Sequence, residues 1–281
     1  MKIVQAKDIT QKVAQLCVEI NTKLADDIDS VLKKEEDNEP YSLAKNILSV
    51  INENRALALN AKRPICQDTG MVVAFVKYGQ DVVIKDGSIE QAIQEGVRQA
   101  YCQGYMRKSV VEDPLLRDKN TQDNTPAVIH YQVVPGEVLQ ISIMAKGFGS
   151  ENTSALKMMK PSDGIEGVKQ FIFDTIRKGA PNACAPIIAG VGIGGDFEEA
   201  ALLAKKALFI PLDQHQQKPH LYSLEKELMQ SVNKSGIGPM GMGGKTTMLG
   251  IHILDYPTHI AGLPVAVNIC CYVDRRGTVV F

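Results

Sequence analysis

Arg63-Pro64-Ile65-Cys66-Gln67-Asp68-Thr69-Gly70-Met71-Val72-Val73-Ala74-Phe75-Val76-Lys77-Tyr78 is the stretch on which the fold reading turns. Its first half is a bend: Pro64 restricts the backbone before Cys66, and Gly70 permits a sharp turn after Asp68. Three polar side chains, Cys66, Gln67 and Asp68, can converge from such a bend on one small object. A helix or a strand would splay them apart. The second half, with Val72, Val73, Phe75 and Val76, reads as a strand. Taken alone, Cys66 is a cysteine beside a surface turn, because most cysteines are simply packed. Two further Gly- and Pro-punctuated segments that carry cysteines argue for more.

Upstream the periodicity is helical. Val13, Leu16, Ile20, Leu24, Ile28 and Val31 recur at threes and fours, which predicts one amphipathic helix over 8–32, with Asp8 or Thr10 as its cap. Residues 33–40 form a charged break and are expected as an exposed loop, followed by a second helix over 42–53. Cys17 reads as a core thiol. Downstream of the bend, 81–85 suggests another strand, and Ser88 with Gln91 opens a helix to about residue 105 that contains Cys102, read as packed. Strands over 128–134 and 138–145 are expected to pair around Pro135-Gly136. Helices follow over 164–178, 197–208 (capped by Asp196) and within 217–231. The chain closes with strands over 248–254 and 261–271. This is a mixed α/β pattern with an α+β tendency, and no repeat or linker divides it, so residues 1–281 read as one domain with an N-terminal helical scaffold.

The composition is that of an ordinary soluble globular chain: 281 residues, 44% hydrophobic, 22% charged, net charge −1. Without a basic excess or stripe, and with no Trp, nucleic acid is not an expected partner. No apolar run approaches the roughly 18 residues that span a bilayer, and the N-terminus has no signal-like apolar segment, so neither membrane nor secretion is expected. In a reducing cytoplasm the six cysteines are thiols or metal ligands rather than disulfides. No CxxC pair supports a structural zinc site.

Two glycine-rich stretches invite nucleotide readings. Gly190, Gly192 and Gly195 satisfy G-x-G-x-x-G between an apolar run and a helix, the context of a dinucleotide site. Against that reading, the match comes late in the chain and the next apolar segment contains Pro211. Gly244-Lys245-Thr246 resembles the end of a P-loop, but Pro239 stands where its first glycine is required. Both stretches still offer backbone that suits small carboxylates as well as phosphates. A third reading joins Cys66, Cys184 and Cys271, each at a turn or segment end. Three thiolates without a fourth suit an iron–sulfur cluster with one open iron, able to act as a Lewis acid towards substrate oxygen.

Four segments in order, Pro64-Ile-Cys-Gln-Asp-Thr-Gly70, Lys146-Gly-Phe-Gly-Ser150, Asn182-Ala-Cys-Ala-Pro186 with Gly190–Gly195, and Gly238-Pro-Met-Gly-Met-Gly-Gly-Lys-Thr-Thr247, resemble class I fumarate hydratases. The resemblance covers nearly the whole chain and corresponds to the N-terminal, cluster-bearing half of the long single-chain enzymes. Ending at Phe281, the chain looks like the α subunit of the two-component form, and the α subunit of L(+)-tartrate dehydratase shares the same motifs. The resemblance implies a [4Fe–4S] cluster on Cys66, Cys184 and Cys271, with one iron not bound by protein. Cys270 precedes the third ligand, and Cys271 is chosen by its spacing to Arg275-Arg276. Substrate contacts carried over are Gln67, Asp68, Arg107 and Gly149. The remaining contacts belong to a β subunit, and an α2β2 heteromer in the cytoplasm is expected.

Those residue types fit the hydration of fumarate to L-malate. Arg107 can hold a carboxylate in a bidentate fork, Gln67 can donate a neutral hydrogen bond, and Asp68, the expected catalytic residue, can orient the hydroxyl or move a proton. The five histidines fall outside these motifs and read as structural or exposed. A dinucleotide-binding oxidoreductase, resting on Gly190–Gly195 alone, and a non-catalytic scaffold subunit are the competing classes.

Overall fold

A computed structural model describes residues 1–281. In chain order the first elements are β1 (Lys2–Gln5), α1 (Ala6–Thr22), α2 (Asp26–Asn38), α3 (Ser42–Ala61), β2 (Met71–Gly79), β3 (Val82–Lys85) and α4 (Ile89–Gln103). There follow β4 (Val128–Val134), β5 (Leu139–Lys146), the short α5 (Phe148–Glu151), β6 (Ala155–Met159) and α6 (Gly164–Gly179). The chain ends with β7 (Ile187–Gly194), α7 (Phe197–Ala207), α8 (Pro219–Asn233), β8 (Met248–Tyr256), β9 (Leu263–Cys271) and β10 (Arg276–Val280). The class is mixed α/β. No helix is long and apolar enough to cross a membrane.

The chain forms two compact units. One comprises residues 1–25, 54–147 and 275–281; the other comprises 26–53 and 148–274. This division explains the first departure from the sequence reading. The apolar stripe over 8–32 is not one helix, because Lys23 is extended (φ −133°) and ends α1. Val13, Leu16 and Ile20 serve the core of the first unit, while Ile28 and Leu32 are buried in α2, which belongs to the second. The charged break over 33–40 is helical as far as Asn38. Its Lys and Glu residues are good helix formers, and Lys33 pairs with Asp29 one turn back at 2.9 Å. Gln5, not Asp8 or Thr10, occupies the cap of α1, because β1 runs straight into it.

In the first unit the sheet order is β10-β5-β2-β4. Val72, Ala74 and Val76 of β2 and Ile141, Ile143 and Ala145 of β5 turn one face towards α1 and α4. The expected β4–β5 hairpin does not form: β2 lies between those strands, parallel to β4 and antiparallel to β5. The end of β2 plugs the turn. Gly79 N–H donates to Val138 O (2.7 Å) and Gln80 N–H to Val134 O (2.9 Å). A Cβ on Gly79 would sit 2.3 Å from Gly136 O, so only glycine fits there.

In the second unit the sheet order is β6-β9-β7-β8, with β7 and β8 parallel and β9 antiparallel to β7. Strand alternation divides its two faces. Ile187, Ala189 and Val191 of β7 and Val265, Val267 and Ile269 of β9 meet α6 and α8. Gly190 and Gly192 point the other way, under α7. Cβ atoms there would lie 2.1 Å from Ala204 O and 2.0 Å from Ala200 O.

Candidate functional site

The Cys66 bend is fastened from every side within its own unit. Ile65 N–H donates to Asn21 O (2.9 Å), and Asn54 Nδ2 donates to Ile65 O (3.0 Å). Tyr101, fully buried on α4, donates its hydroxyl to Thr69 O (2.6 Å) and Gly70 O (3.1 Å). Burial pushes the Tyr101 phenol well above its ordinary range, so it stays a donor. Gly70 has φ +77°, and a Cβ there would lie 2.7–2.9 Å from the Ala145–Lys146 backbone. The bend therefore has one conformation, and it leaves Cys66 and Asp68 half-buried and Gln67 exposed. Cys66 Sγ lies 3.4 Å from Gln67 Oε1, and Asp68 Oδ1 accepts from Gly70 N–H at 3.0 Å, which sets the carboxylate's orientation.

Arg275 and Arg107 have different tasks in the same unit. Arg275 is buried; its Nε donates to Ala145 O (2.9 Å) and its Nη1 to Asp68 O. It clasps the bend. Arg107 is exposed, and its backbone is held by Thr69: Arg107 N–H donates to Thr69 Oγ1 (3.0 Å), and Thr69 Oγ1 donates to Arg107 O (3.2 Å). Arg63 stacks its guanidinium on the Tyr105 ring, 3.8 Å from the centroid.

In the second unit, one end of the sheet gathers the start of β7, the start of β8 and the end of β9. Cys184 lies in the turn just before β7, exposed, with φ +53°, a left-handed backbone uncommon for any residue but glycine and worth a functional look. Cys271 ends β9 opposite Ile187, three residues after Cys184. Alternation separates the cysteine doublet: Cys270 is 2% exposed and its thiol faces Asp274 Oδ1 at 3.8 Å, whereas Cys271 is half-buried. Gly149 lies exposed on α5, where a Cβ would meet nothing within 4 Å. Cys66, Gln67, Asp68 and Arg107 thus belong to one unit, and Gly149, Cys184 and Cys271 to the other.

The stretch that imitates a P-loop is occupied by the protein itself. Glu39, 4% exposed, accepts from Lys245 N–H (3.0 Å), Thr246 N–H (2.8 Å) and the Thr246 hydroxyl (2.7 Å). Backbone N–H groups of a glycine-rich loop make an anion-binding concavity, and an internal carboxylate fills this one. The loop then reaches the cysteine turn, where Met240 N–H donates to Ala185 O at 2.8 Å. The dinucleotide fingerprint fails as well. Its first two glycines lie inside β7 to admit α7, and Asp196 caps that helix by accepting from Glu198 and Glu199 N–H (3.1 and 2.9 Å).

A family model described as fumarate hydratase (fumerase) matches residues 10–280. The chain belongs to the fumarate hydratase family. As a member it is a hydro-lyase, and the oxidoreductase reading is set aside. Among its relatives, a protein of Methanocaldococcus jannaschii carrying the name "Putative L(+)-tartrate dehydratase subunit alpha" is 38% identical over 273 residues, 95% of this chain and 95% of that protein. The L(+)-tartrate dehydratase subunit alpha of Escherichia coli K12 is 34% identical over 272 residues, 96% of this chain and 89% of that protein. The same name and identity recur in Shigella sonnei.

Sequence reasoning missed the residues that hold this hydro-lyase's bend. Thr69 adjoins the motif residues and looks like turn filler, and Tyr101 and Asn124 carry no motif at all. Glu39 sits in a charged run that resembles a loop. The available signal was the glycine-rich stretch at 243–246, whose backbone suits a carboxylate as well as a phosphate. Cys102 is exposed rather than packed. Cys17 is fully buried as expected, and burial pushes its thiol up to about 12, where it is inert.

Proposed function

We propose that this chain is the α-type, cluster-bearing subunit of a hydro-lyase that reversibly hydrates fumarate to L-malate together with a β subunit. Residues 1–281, both compact units together, act as one catalytic domain of the class I fumarase type. The observation that carries the proposal is the fastened bend: a thiol, an amide and a carboxylate on consecutive residues, hydrogen-bonded through Thr69 to the backbone that carries Arg107. The names of the relatives as subunit alpha support a β partner, and we assign an α2β2 assembly in the cytoplasm.

The donor set suits a cluster better than a single metal ion. Cys184 is exposed and Cys66 and Cys271 are half-buried, and three thiolates without a fourth suit a cluster with one open iron. Cys66, Cys184 and Cys271 would hold a [4Fe–4S] cluster with one iron not bound by protein, which when bound would supply Lewis-acid chemistry towards the substrate's hydroxyl oxygen. The chain's own residues do the rest. Arg107 pairs with one substrate carboxylate. Gln67 donates from its amide, and the Gly149 backbone contacts substrate. Asp68 orients the hydroxyl or accepts its proton; its carboxylate cannot turn away while Gly70 N–H holds one oxygen. The β subunit brings the second carboxylate clamp.

A second reading, dehydration of L(+)-tartrate, is favoured by the names of the relatives; its substrate has one more hydroxyl. The deciding experiment is anaerobic reconstitution with the β subunit, assay of iron and acid-labile sulfide, and turnover of fumarate, L-malate and L(+)-tartrate. Iron and sulfide with fastest turnover of fumarate support the first reading, and fastest turnover of tartrate supports the second. No iron, or turnover of none of the three, overturns both.

A further inference from the structure

We infer that Thr69 is a positioning residue for this reaction: its hydroxyl fixes the span between Asp68 and Arg107, and that span sets how well the site grips a dicarboxylate. The inference rests on the proposed roles of Asp68 and Arg107. Thr69 is 2% exposed, and its single hydroxyl satisfies both backbone groups of Arg107, accepting from the N–H at 3.0 Å and donating to the C=O at 3.2 Å. Arg107 lies beyond α4 in irregular chain, so no ladder or helix fixes it. A β-branched side chain has few χ1 choices, which makes Thr69 a stiff link.

A second bridge runs alongside. Asn124, fully buried, donates from Nδ2 to Gly70 O (3.1 Å) and accepts at Oδ1 from Ser109 N–H (2.7 Å). Residues 69 and 70 are thus tied to residues 107 and 109. Buried Met106 anchors the segment on its other side. The Arg107 backbone is held while its side chain is exposed, so the point from which the guanidinium reaches out is set by Thr69. A guanidinium held at the wrong point of departure loses part of its bidentate pairing with the carboxylate, which weakens binding.

The test uses the reconstituted two-subunit enzyme with the dicarboxylate it turns over. Thr69→Val keeps the shape and removes the hydroxyl; Thr69→Ser keeps the hydroxyl. The expected result for Thr69→Val is a KM raised roughly tenfold with kcat changed less, the mark of lost uniform binding, and near-normal values for Thr69→Ser. In an Arg107→Ala background, Thr69→Val should add nothing, because the group it positions is gone. Hydrogen exchange of the Arg107 amide in the chain alone should accelerate in Thr69→Val and not in Thr69→Ser, a readout independent of turnover. If Thr69→Val does not fold, Thr69→Ala removes the hydroxyl without adding an apolar group. Effects of Thr69→Val and Arg107→Ala that multiply, or a loss confined to kcat, would overturn the inference and leave the role of Arg107 standing. An Arg107→Ala enzyme with normal kinetics would overturn that role and the inference together.

Discussion

Replacing Glu39 by Ala should destabilise the second unit far more than a residue beside an exposed charged run would suggest. Glu39 receives the Lys245 and Thr246 N–H groups and the Thr246 hydroxyl, with Tyr41 N–H adding a longer contact at 3.4 Å. Hydrogen bonds to a charged acceptor contribute about 1.5–3 kcal/mol each, and buried donors left unsatisfied cost about 1–3 kcal/mol each. Three donors would sum higher, but the loop can relax and admit water, so we expect a loss of about 3–5 kcal/mol. For a unit of this size that is a fall in Tm of roughly 6–20 °C. Burial pushes the Glu39 carboxyl up, but the hydrogen bonds from Thr246, Lys245 and Tyr41 outweigh it and hold it below its ordinary value of 4.5. A depressed folded-state pKa means that this stabilisation is present above the unfolded value and is lost as pH falls through the folded one. The Tm gap between wild type and Glu39→Ala should therefore be full at neutral pH and narrow on acidification below about 4.5. Thermal unfolding across pH is the assay. A Tm gap under about 2 °C at neutral pH, or one that widens in acid, would show that the Glu39 carboxylate does not hold this loop.

Two further expectations concern the site. Arg107→Lys should leave iron content unchanged and lower kcat/KM of the two-subunit enzyme roughly ten- to a hundredfold, because an ammonium cannot replace a bidentate fork; an unchanged kcat/KM would remove Arg107 from the site. Cys270→Ala should retain iron after anaerobic reconstitution and Cys271→Ala should not, since Cys270 is buried towards Asp274 while Cys271 is accessible at the sheet end. The reverse pattern would reassign the third ligand.

The legible parts of the fold were those whose signals are local. Ser88 accepts from Gln91 N–H at 3.2 Å, as the capping pattern implies, and Asp196 caps α7. Strand β2 begins where Gly70 ends the bend. Strand pairing was not legible, because it depends on which strand enters the gap beside a turn. Nothing in Pro135-Gly136 says that Gly79 will be driven against it. The break in the stripe over 8–32 was hidden because its apolar residues keep the same spacing of threes and fours across Lys23, while Val13, Leu16 and Ile20 serve one core and Ile28 and Leu32 belong to the other unit. Glycines misled for a physical reason: the absence of a Cβ suits a phosphate, a close-packed helix or a buried carboxylate alike, and here Gly190 and Gly192 admit α7 while Gly244 lies against Glu39 and Ala44. The motif residues Cys66, Gln67 and Asp68 could be named from the chain. What holds them, Thr69, Tyr101, Asn124 and Arg275, could not, because hydrogen bonds between distant segments leave no periodicity.

As proposed, this chain supplies half of a hydro-lyase site, with the cluster thiols, Asp68, Gln67 and one carboxylate clamp, and a β subunit completes it. The most direct test is anaerobic turnover of fumarate, L-malate and L(+)-tartrate by the iron-loaded chain, measured with and without that subunit. Turnover by the chain alone should be negligible and should appear on addition of the partner. Full activity from the chain alone would contradict this proposal.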